Sequence, residues 1–208
     1  MLLDYFNTKS KYNMDITGII HIGGHHGEEL DVYLKDKDVR HIVLFEADED
    51  NYKVLKNKTD GLDTDVEIHT IHKGLGPFSC EMTLYRETEN NGQSNSVLKP
   101  KIHLEQYPGI KFHNEVKIKI EPLDRYECSS VYNFLNIDIQ GFELEALRGA
   151  RKTLKNVKWI MSEVNRAEVY ENCAHVEEMD EFLGKYGFNR VETNWAGQTW
   201  GDALYVKN

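Results

Sequence analysis

The sequence has little of what a disulfide-bonded or membrane-spanning protein needs. It contains three cysteines and four prolines in 208 residues, and Cys80, Cys128 and Cys173 are more than forty residues apart. Disulfide frameworks and cysteine zinc sites use paired or closely spaced cysteines, so we expect neither. A membrane-spanning helix needs about 20 consecutive apolar residues, and no run approaches that length. We therefore expect no membrane span.

Positive charge is also scarce. The chain has 25 Lys and Arg residues against 35 Asp and Glu residues, which gives a formal net charge of −10. Such a field repels a phosphate backbone, so we expect no nucleic-acid partner. The opening segment MLLDYFNTKSKYNMD lacks the basic start, apolar core and cleavage site of a signal peptide. We accordingly expect a cytoplasmic location.

Short apolar runs alternate with segments of helical periodicity along most of the chain. The pattern predicts strands at TGIIHIGG, HIVLFEAD, TDVEIHTIHKGLG, VYNFLNIDIQG and VKWIMSEVN, and helices at EELDVYLKDK, EDNYKVLKNK, FELEALRGARKTL and HVEEMDEFLGKYG. Residues 76–113 are less regular, although CEMTLYRE, and VKIKIEPLD just after this region, are typical of strands. The final runs FNRVET and DALYVK form a strand pair that allows an antiparallel edge. This alternation predicts one α/β domain over residues 1–208, with a mainly parallel sheet covered by helices on both faces.

The stretch IIHIGGHHGEEL covers the first predicted turn from strand to helix. Gly23, Gly24 and Gly27 occupy this turn, and glycine allows a tight turn and a close approach to a ligand because it has no Cβ. Glu46 ends the second predicted strand, where an acid commonly accepts hydrogen bonds from ribose hydroxyls. Together the glycine turn and the acid indicate an adenosine-type ligand.

Charge distinguishes between the candidate nucleosides. Glu28, Glu29 and Asp31 lie at the start of the next predicted helix, which disfavours a pyrophosphate at that position. The G-x-G-x-x-G spacing and the P-loop pattern are both missing, which disfavours NAD and ATP. S-adenosylmethionine has no phosphate and carries a positive sulfonium. It is therefore the predicted cofactor, with a nucleotide-dependent reductase as a distant alternative.

Four segments in order resemble the FkbM-type family of S-adenosylmethionine-dependent methyltransferases. They are HIGGHHGEEL, VLFEADEDNYKVLKNK, IEPLDRY and NFLNIDIQGFELEALRGARKTLKNVKWIMSEV, within about residues 16–165. The most specific part, from Asp138 to Ala150, is similar to the family pattern D-x-[EQ]-G-x-E-x-x-x-L-x-G-A. The resemblance implies the Rossmann-like class I methyltransferase fold, with seven strands of which the last is antiparallel. It also implies methyl transfer, usually to an oxygen of a sugar or a related hydroxyl.

The resemblance also implies roles for individual residues. His21 stands where the family usually has an aspartate that helps to hold the methionine ammonium, and His25 stands where it usually has asparagine. Asp138 is our candidate for part of the missing aspartate's role. The implied cofactor-binding residues are Gly23, Gly24, His25, Gly27, Glu46, Leu75 beside the adenine, and Asp138.

Methyl transfer to an alcohol needs a positioned oxygen and a group that takes the hydroxyl proton. Asp138 ends the fourth predicted strand of the main sheet, and Glu163 and Asn165 end the fifth. Asp138, Glu163 and His26 are the candidate catalytic residues, since an imidazole with a pKa near 6.5 suits a general base. Oxygen ligands at neighbouring strand ends also suit Mg²⁺ or Mn²⁺, so Asp138, Glu163 and Asn165 form a candidate metal site. A strand-end acid or a hydrogen-bonded turn histidine is the structural alternative for each.

The acceptor is predicted to contact the loop ENNGQSNSVLKP and the aromatic segment WAGQTWGD. Trp195 and Trp200 either stack on a sugar face or pack at a sheet edge. The leading hypothesis is an O-methyltransferase that acts on a hydroxyl of a glycan, sugar or sugar-bearing metabolite. The alternatives are methylation of a small-molecule amine or carboxyl group, and a non-catalytic cofactor-binding domain.

Overall fold

A computed structural model describes residues 2–127 and 130–208. These residues form ten strands and six α-helices. The strands are β1 (Gly18–Ile22), β2 (His41–Glu46), β3 (Glu67–His72), β4 (Gly74–Leu75), β5 (Cys80–Glu87), β6 (Phe112–Glu121), β7 (Phe134–Ile137), β8 (Trp159–Asn165), β9 (Phe188–Ala196) and β10 (Trp200–Lys207). The helices are α1 (Tyr5–Lys11), α2 (Leu30–Tyr33), α3 (Glu49–Asp60), α4 (Ile102–Gln106), α5 (Glu143–Arg148) and α6 (Val176–Gly184).

Seven strands form the main sheet in the order β3-β2-β1-β7-β8-β10-β9. Neighbouring strands are parallel from β3 to β8, whereas β10 is antiparallel to both β8 and β9. This arrangement confirms the predicted seven-stranded, mostly parallel sheet with an antiparallel last strand. The antiparallel strand lies inside the sheet and not at its edge. The apolar run of β10 is buried from Gly201 to Tyr205, whereas polar β9 is largely exposed and forms the edge.

Both faces of the main sheet are covered. On one face, Ile20 and Ile22 of β1 belong to a core cluster that includes buried side chains of α5 and α6. On the other face, Ile19 belongs to a cluster with buried side chains of α1, α2 and α3. Alternate side chains of a strand point to opposite faces, so a strand buried on both faces reads as a continuous apolar run. The predicted two-sided helix cover is confirmed.

A second sheet of order β4-β6-β5 lies beside the main one. The predicted strands CEMTLYRE and VKIKIEPLD both belong to it. Its buried side chains Leu84, Ile118 and Ile120 pack together with Ala47, which follows β2. The small sheet therefore stands close to the end of β2, where the candidate ribose-binding acid lies.

Several helices differ in length from the prediction. The segment EELDVYLKDK forms only the four-residue helix α2, and α5 stops at Arg148. Gly149 follows α5, and a Cβ at this position would lie 2.1 Å from the carbonyl oxygen of Gly76. This close approach of backbone to backbone accompanies the early end of the helix. Helices α1 and α4 were not predicted.

Two of the three cysteines, Cys80 and Cys173, are free thiols, and Cys128 lies outside the described residues. Among the helices of the described ranges, none has the length and apolar character needed to cross a bilayer.

Candidate active site

The turn after β1 is held against the ends of two neighbouring strands. The backbone N–H groups of Gly23 and Gly24 both donate to the carbonyl oxygen of Phe45, at 3.0 and 2.9 Å. Gly23 has a φ of +88°, and a Cβ there would lie 1.9 Å from the carbonyl oxygen of Asp138. Only glycine fits this position. The predicted turn thus brings the carboxyl ends of β1, β2 and β7 together.

Glu46, at the end of β2, is oriented by backbone donors. The N–H of His25 donates to its Oε2 and the N–H of Asp48 donates to its Oε1, both at 2.8 Å. Burial raises the pKa of the Glu46 carboxyl above its ordinary value, even though the two backbone donors act in the opposite direction. Each carboxylate oxygen has a second lone pair available, so a ribose diol can still bind.

A narrow apolar slot extends from Glu46 toward the small sheet. Leu75 lines this slot and is 2% exposed. Its apolar walls are formed by Phe45, Leu75, Leu84, Ile118, Ile120 and Phe142. Apolar walls next to a fixed carboxylate suit a flat purine joined to a ribose, so the slot fits the nucleoside part of S-adenosylmethionine.

A second cavity, of about 800 Å³, opens on the other side of the glycine turn. The two cavities share the lining residues Gly23, His25, Gln93, Asp138 and Gln140. The larger one is lined by the carboxyl groups of Glu28, Glu29, Glu89, Asp138, Glu163 and Asp202. None of the described residues that line it is Lys or Arg. The cavity therefore suits positive or neutral groups, among them the sulfonium and ammonium of the cofactor.

Gln140 links two acids of this cavity. Its side-chain Nε2 donates to Asp138 Oδ1 at 2.8 Å and to Glu163 Oε2 at 2.9 Å. Its Oε1 lies 2.8 Å from the Tyr170 hydroxyl, which donates to it. Burial, together with the nearby charges of Asp138 and Glu143, raises the pKa of Glu163 well above its ordinary range. Glu163 therefore holds a proton more strongly than an exposed carboxylate.

Glu143 supports the turn that follows β7. Its Oε1 accepts from the backbone N–H of Ile139 at 2.9 Å and of Gly141 at 3.0 Å. Burial, followed by the negative charge of Asp138, raises the pKa of Glu143 to about 7. Because it accepts backbone hydrogen bonds within the motif and does not line either cavity, its place is structural.

The structure brings together two of the three predicted metal ligands. Carboxylate oxygens of Asp138, Glu143 and Glu163 lie within 4.8 Å of one another. The donating amide of Gln140 already bridges Asp138 and Glu163, so a cation between them would have to displace it. Asn165 does not line the cavity, and its buried side-chain amide has no hydrogen-bond partner among the described residues. The arrangement does not fit the predicted three-ligand site.

His25 and His26 are stacked, with ring centroids 3.9 Å apart, but only His25 lines the cavities. Its Nδ1 lies 2.6 Å from Glu28 Oε1, and its Nε2 lies 2.8 Å from the carbonyl oxygen of Asn91. His26 Nε2 instead lies 3.1 Å from Asn51 Oδ1. The geometry therefore places the predicted general base His26 away from both cavities.

His21 occupies the position of the missing family aspartate. It is 2% exposed, and its Nε2 lies 3.2 Å from the side-chain nitrogen of Asn136. Tyr33 is on the other side, with its hydroxyl 3.4 Å from Nδ1. Burial lowers the pKa of His21, so the ring is neutral. Without a negative charge here, the acids of the same cavity wall that act most strongly on His21 are Glu29 and Asp138.

Only some residues of the two predicted acceptor segments line the larger cavity. Trp200 lines the larger cavity, whereas Trp195 lies 3.5 Å beneath the guanidinium of Arg166 and does not line it. The polar loop contributes Asn90, Gln93 and Ser94 to the lining of the larger cavity.

Sequence reasoning missed the roles of Gln140, Tyr170 and His103. Only Gln140 had a signal, since it occupies the variable acid-or-amide position of the most specific motif.

The strand order, the glycine turn and the buried acid at the end of β2 are those of a Rossmann-like fold of the class I methyltransferase type. Comparison with known families agrees, since residues 21–190 match the family described as the methyltransferase FkbM domain. The chain belongs to the FkbM methyltransferase family.

Among curated proteins, a segment of the chain is 29% identical over 82 residues to the 2-O-methyltransferase NoeI of Sinorhizobium fredii, which covers 38% of this chain and 33% of NoeI. Among solved structures, the methyltransferase FkbM of Methylobacillus flagellatus superposes with a TM-score of 0.60 at 17% identity, over 92% of this chain and 44% of that one. The chain thus matches less than half the length of either relative.

More distant structures share the fold. TrmK of M. capricolum, in complex with S-adenosyl-homocysteine, gives a TM-score of 0.55 at 8% identity and covers 100% of this chain and 70% of that one. A putative tRNA methyltransferase of Streptococcus pneumoniae, in complex with S-adenosyl-L-methionine, gives 0.54 at 12% identity and covers 100% and 74%.

Proposed function

We propose that this protein transfers a methyl group from S-adenosylmethionine to a hydroxyl group of a sugar, a glycan or a sugar-bearing metabolite. The observation that carries the proposal is the junction of the apolar slot with the large polar cavity at Gly23, Asp138 and Gln140. A methyl group at this junction faces a space lined by amides, hydroxyls and acids, which are the groups that bind sugar hydroxyls. The similarity of one segment to the 2-O-methyltransferase NoeI supports an oxygen acceptor.

The residues around the junction have distinct proposed roles. When bound, the cofactor supplies an electrophilic methyl group. Glu46 accepts hydrogen bonds from the ribose, Leu75 contacts the adenine, and Asp138 holds the methionine ammonium. The acceptor oxygen bonds to the methyl carbon as the carbon–sulfur bond breaks, and Glu163 takes the hydroxyl proton.

Binding of S-adenosylhomocysteine tests the cofactor site first. Glu46→Ala removes an oriented carboxylate that would accept two ribose hydrogen bonds, so we expect calorimetry to show affinity at least about tenfold weaker than wild type. Glu81→Ala is the matched control, because Glu81 is an exposed acid on β5. Unchanged affinity in Glu46→Ala contradicts the ribose assignment.

Tritium transfer from labelled S-adenosylmethionine to a panel of neutral glycosides then tests the acceptor class. Cofactor binding without any transfer favours the non-catalytic alternative.

The proposed reaction proceeds without a divalent metal. We expect methyl transfer to keep its wild-type rate after dialysis against EDTA, because the Gln140 amide bridges Asp138 and Glu163 where a cation would bind. The rate is measured with and without added Mg²⁺ or Mn²⁺. A rate that vanishes in EDTA and returns with either ion restores the metal hypothesis.

A second candidate is methylation of an amine. It is favoured by the six carboxyl-bearing side chains in the cavity wall and by the lack of Lys or Arg among the described lining residues. The same charge disfavours carboxylate acceptors and nucleic acids. Mass spectrometry of products from paired amino and hydroxyl glycosides distinguishes N-methylation from O-methylation.

A further inference from the structure

His103 lies in α4, and neither the glycine turn nor the family motif includes it. The side chain is 3% exposed and lines the large cavity. Its Nε2 lies 3.2 Å from the hydroxyl oxygen of Ser94. Its Nδ1 is buried and has no hydrogen-bond partner within the described residues. One polar atom of the cavity wall is therefore unpaired.

The described residues around the ring give this atom no hydrogen bond, although the charge of Glu87 acts to raise the pKa of the ring. The ring contacts the aromatic rings of Tyr107, Phe112 and Tyr170, with centroid separations of 5.0, 5.4 and 5.5 Å. Burial lowers the pKa of His103, so the ring is neutral and has one donor and one acceptor nitrogen. Buried polar atoms are almost always paired, because leaving one unpaired is costly. Because His103 lines the large cavity, a molecule bound there is a candidate partner for Nδ1.

His103 is connected to the methyl-transfer junction. The carbonyl oxygen of Ser94 lies 3.0 Å from the hydroxyl of Tyr170, and that hydroxyl lies 2.8 Å from Gln140 Oε1. Gln140 in turn donates to Asp138. Contacts shorter than 3.3 Å, joined through the covalent frame of Ser94, thus connect the imidazole with the acid at the junction.

An aromatic surface borders the same position. Trp200 Nε1 donates to the hydroxyl of Tyr107 at 3.1 Å, and the Tyr107 ring packs on His103. Flat aromatic groups suit the C–H face of a sugar ring. A hydroxyl both donates and accepts, so it can pair with Nδ1 in either tautomer of the imidazole.

We propose that His103 Nδ1 binds a hydroxyl group of an uncharged sugar ring and makes His103 a specificity-determining residue for the methyl acceptor. This inference rests on the proposed function, and it adds the residue that recognises the acceptor and the charge class of that acceptor. The methylated hydroxyl is near Glu163, and the hydroxyl bound by His103 is a different one on the same ring.

Two amide substitutions separate the two ring nitrogens. His103→Asn places a polar atom close to the position of Nδ1, whereas His103→Gln places one close to that of Nε2. If Nδ1 binds the acceptor, Asn retains glycoside affinity and Gln loses it. If the side chain acts only through Ser94, Gln is the better replacement. His69→Asn is the matched control, because this exposed histidine of β3 and its partner Glu67 both lie outside the two cavities.

The measurement is an NMR titration with the methyl α-glycosides of glucose, mannose and galactose, on protein labelled with ¹⁵N in its imidazole rings and saturated with S-adenosylhomocysteine. We expect at least one glycoside to shift the His103 Nδ1 resonance. We expect its affinity to fall at least tenfold in His103→Gln and less than threefold in His103→Asn and the control. Glucose 6-phosphate serves as the anionic probe and is expected not to bind.

Three results overturn the inference: no glycoside shifts the Nδ1 resonance, Asn weakens glycoside binding more than Gln does, or the phosphate binds as well as the glycosides. S-adenosylhomocysteine affinity in each variant reports whether the fold and cofactor site are intact. Failure of the proposed function looks different. In that case wild type fails to bind S-adenosylhomocysteine, or it methylates only amines.

Discussion

At the scale of single residues, the side-chain amide of Gln140 organises the acids of the site. Both of its N–H groups are used, one by Asp138 and one by Glu163, and its oxygen is used by Tyr170. A fully paired amide has one orientation, so the two carboxyl groups stay fixed relative to each other. In the proposed function, Asp138 binds the ammonium of the cofactor and Glu163 takes the proton of the acceptor.

The pH dependence of methyl transfer follows from Glu163. Burial and the charges of Asp138 and Glu143 raise its pKa, and a general base works only when it is deprotonated. We expect kcat to rise with pH through this raised pKa. Glu163→Gln should lower kcat by about 100-fold or more and flatten the profile. The check is a pH–rate profile at saturating substrates. A variant that keeps both the rate and the profile of wild type rules out this role.

His25 provides a pH-dependent contribution to stability. Both ring nitrogens face acceptors, Glu28 and the carbonyl oxygen of Asn91, so the doubly protonated ring satisfies both. Burial by itself lowers the pKa of His25, but these two partners reverse the effect and the net pKa is raised. A raised folded-state pKa stabilises the fold fully below the unfolded pKa of about 6.5, and the effect is lost as pH rises through the folded value.

We therefore expect His25→Phe to lower the melting temperature more at pH 6 than at pH 9. His113→Phe, at an exposed histidine, should cause an equal and small change at both. Differential scanning fluorimetry across this range is the measurement. An equal loss for His25→Phe at both pH values would mean that the ring contributes by packing and not by charge.

At the scale of elements, the small sheet completes the proposed cofactor site. The chain leaves β3 and enters β4 almost at once, which brings Leu75 beside β6 and the end of β2. Leu75→Ala removes apolar area from the slot, so we expect S-adenosylhomocysteine affinity to fall about tenfold. Val54→Ala, at a side chain that is 45% exposed, is the control. Calorimetry with equal affinity in Leu75→Ala and wild type would show that the adenine binds elsewhere.

The lengths of the helices show where hydrophobic periodicity predicts a helix correctly and where it does not. The segment EDNYKVLKNK was predicted as a helix and forms α3, which begins after Asp48 accepts from the backbone N–H groups of Asp50 and Asn51. The segment EELDVYLKDK has similar periodicity but forms only one turn. Periodicity reports which residues can share a buried face. It does not report whether tertiary contacts leave room for a longer helix.

At the scale of the whole molecule, the acceptor cavity joins the two ends of the described chain. Asp202 of β10 accepts from the backbone N–H groups of Leu2 and Leu3, and Leu2 lines the cavity. Hydrogen bonds to a carboxylate are among the stronger ones in proteins. The segment before α1 is therefore fixed against the last strand.

Asp202→Ala should release this segment. We expect amide hydrogen exchange in residues 2–11 to become at least tenfold faster, because the carboxylate that accepts from Leu2 and Leu3 is gone. Exchange measured by mass spectrometry checks this, with the exposed Asp65→Ala as control. Unchanged exchange in residues 2–11 would show that α1 holds the segment without Asp202.

The sequence by itself determined the α/β class, the mainly parallel direction of the strands, the glycine turn with its acid, and the family. These features can be recognised from short stretches of sequence. Apolar periodicity and the backbone freedom of glycine depend only on a few neighbouring residues. Asp138 and Glu163 were also recognisable as strand-end acids. Their shared amide was not, because nothing in the spacing shows that Gln140 reaches Glu163.

Only the tertiary structure decided which side chains face the acceptor cavity. It inserted β10 between β8 and β9, turned Trp200 to the cavity and Trp195 to Arg166, and placed His103 with one nitrogen unpaired. These outcomes depend on contacts between residues far apart in the chain. Such contacts are set by how all the elements pack together, so periodicity and motifs cannot specify them.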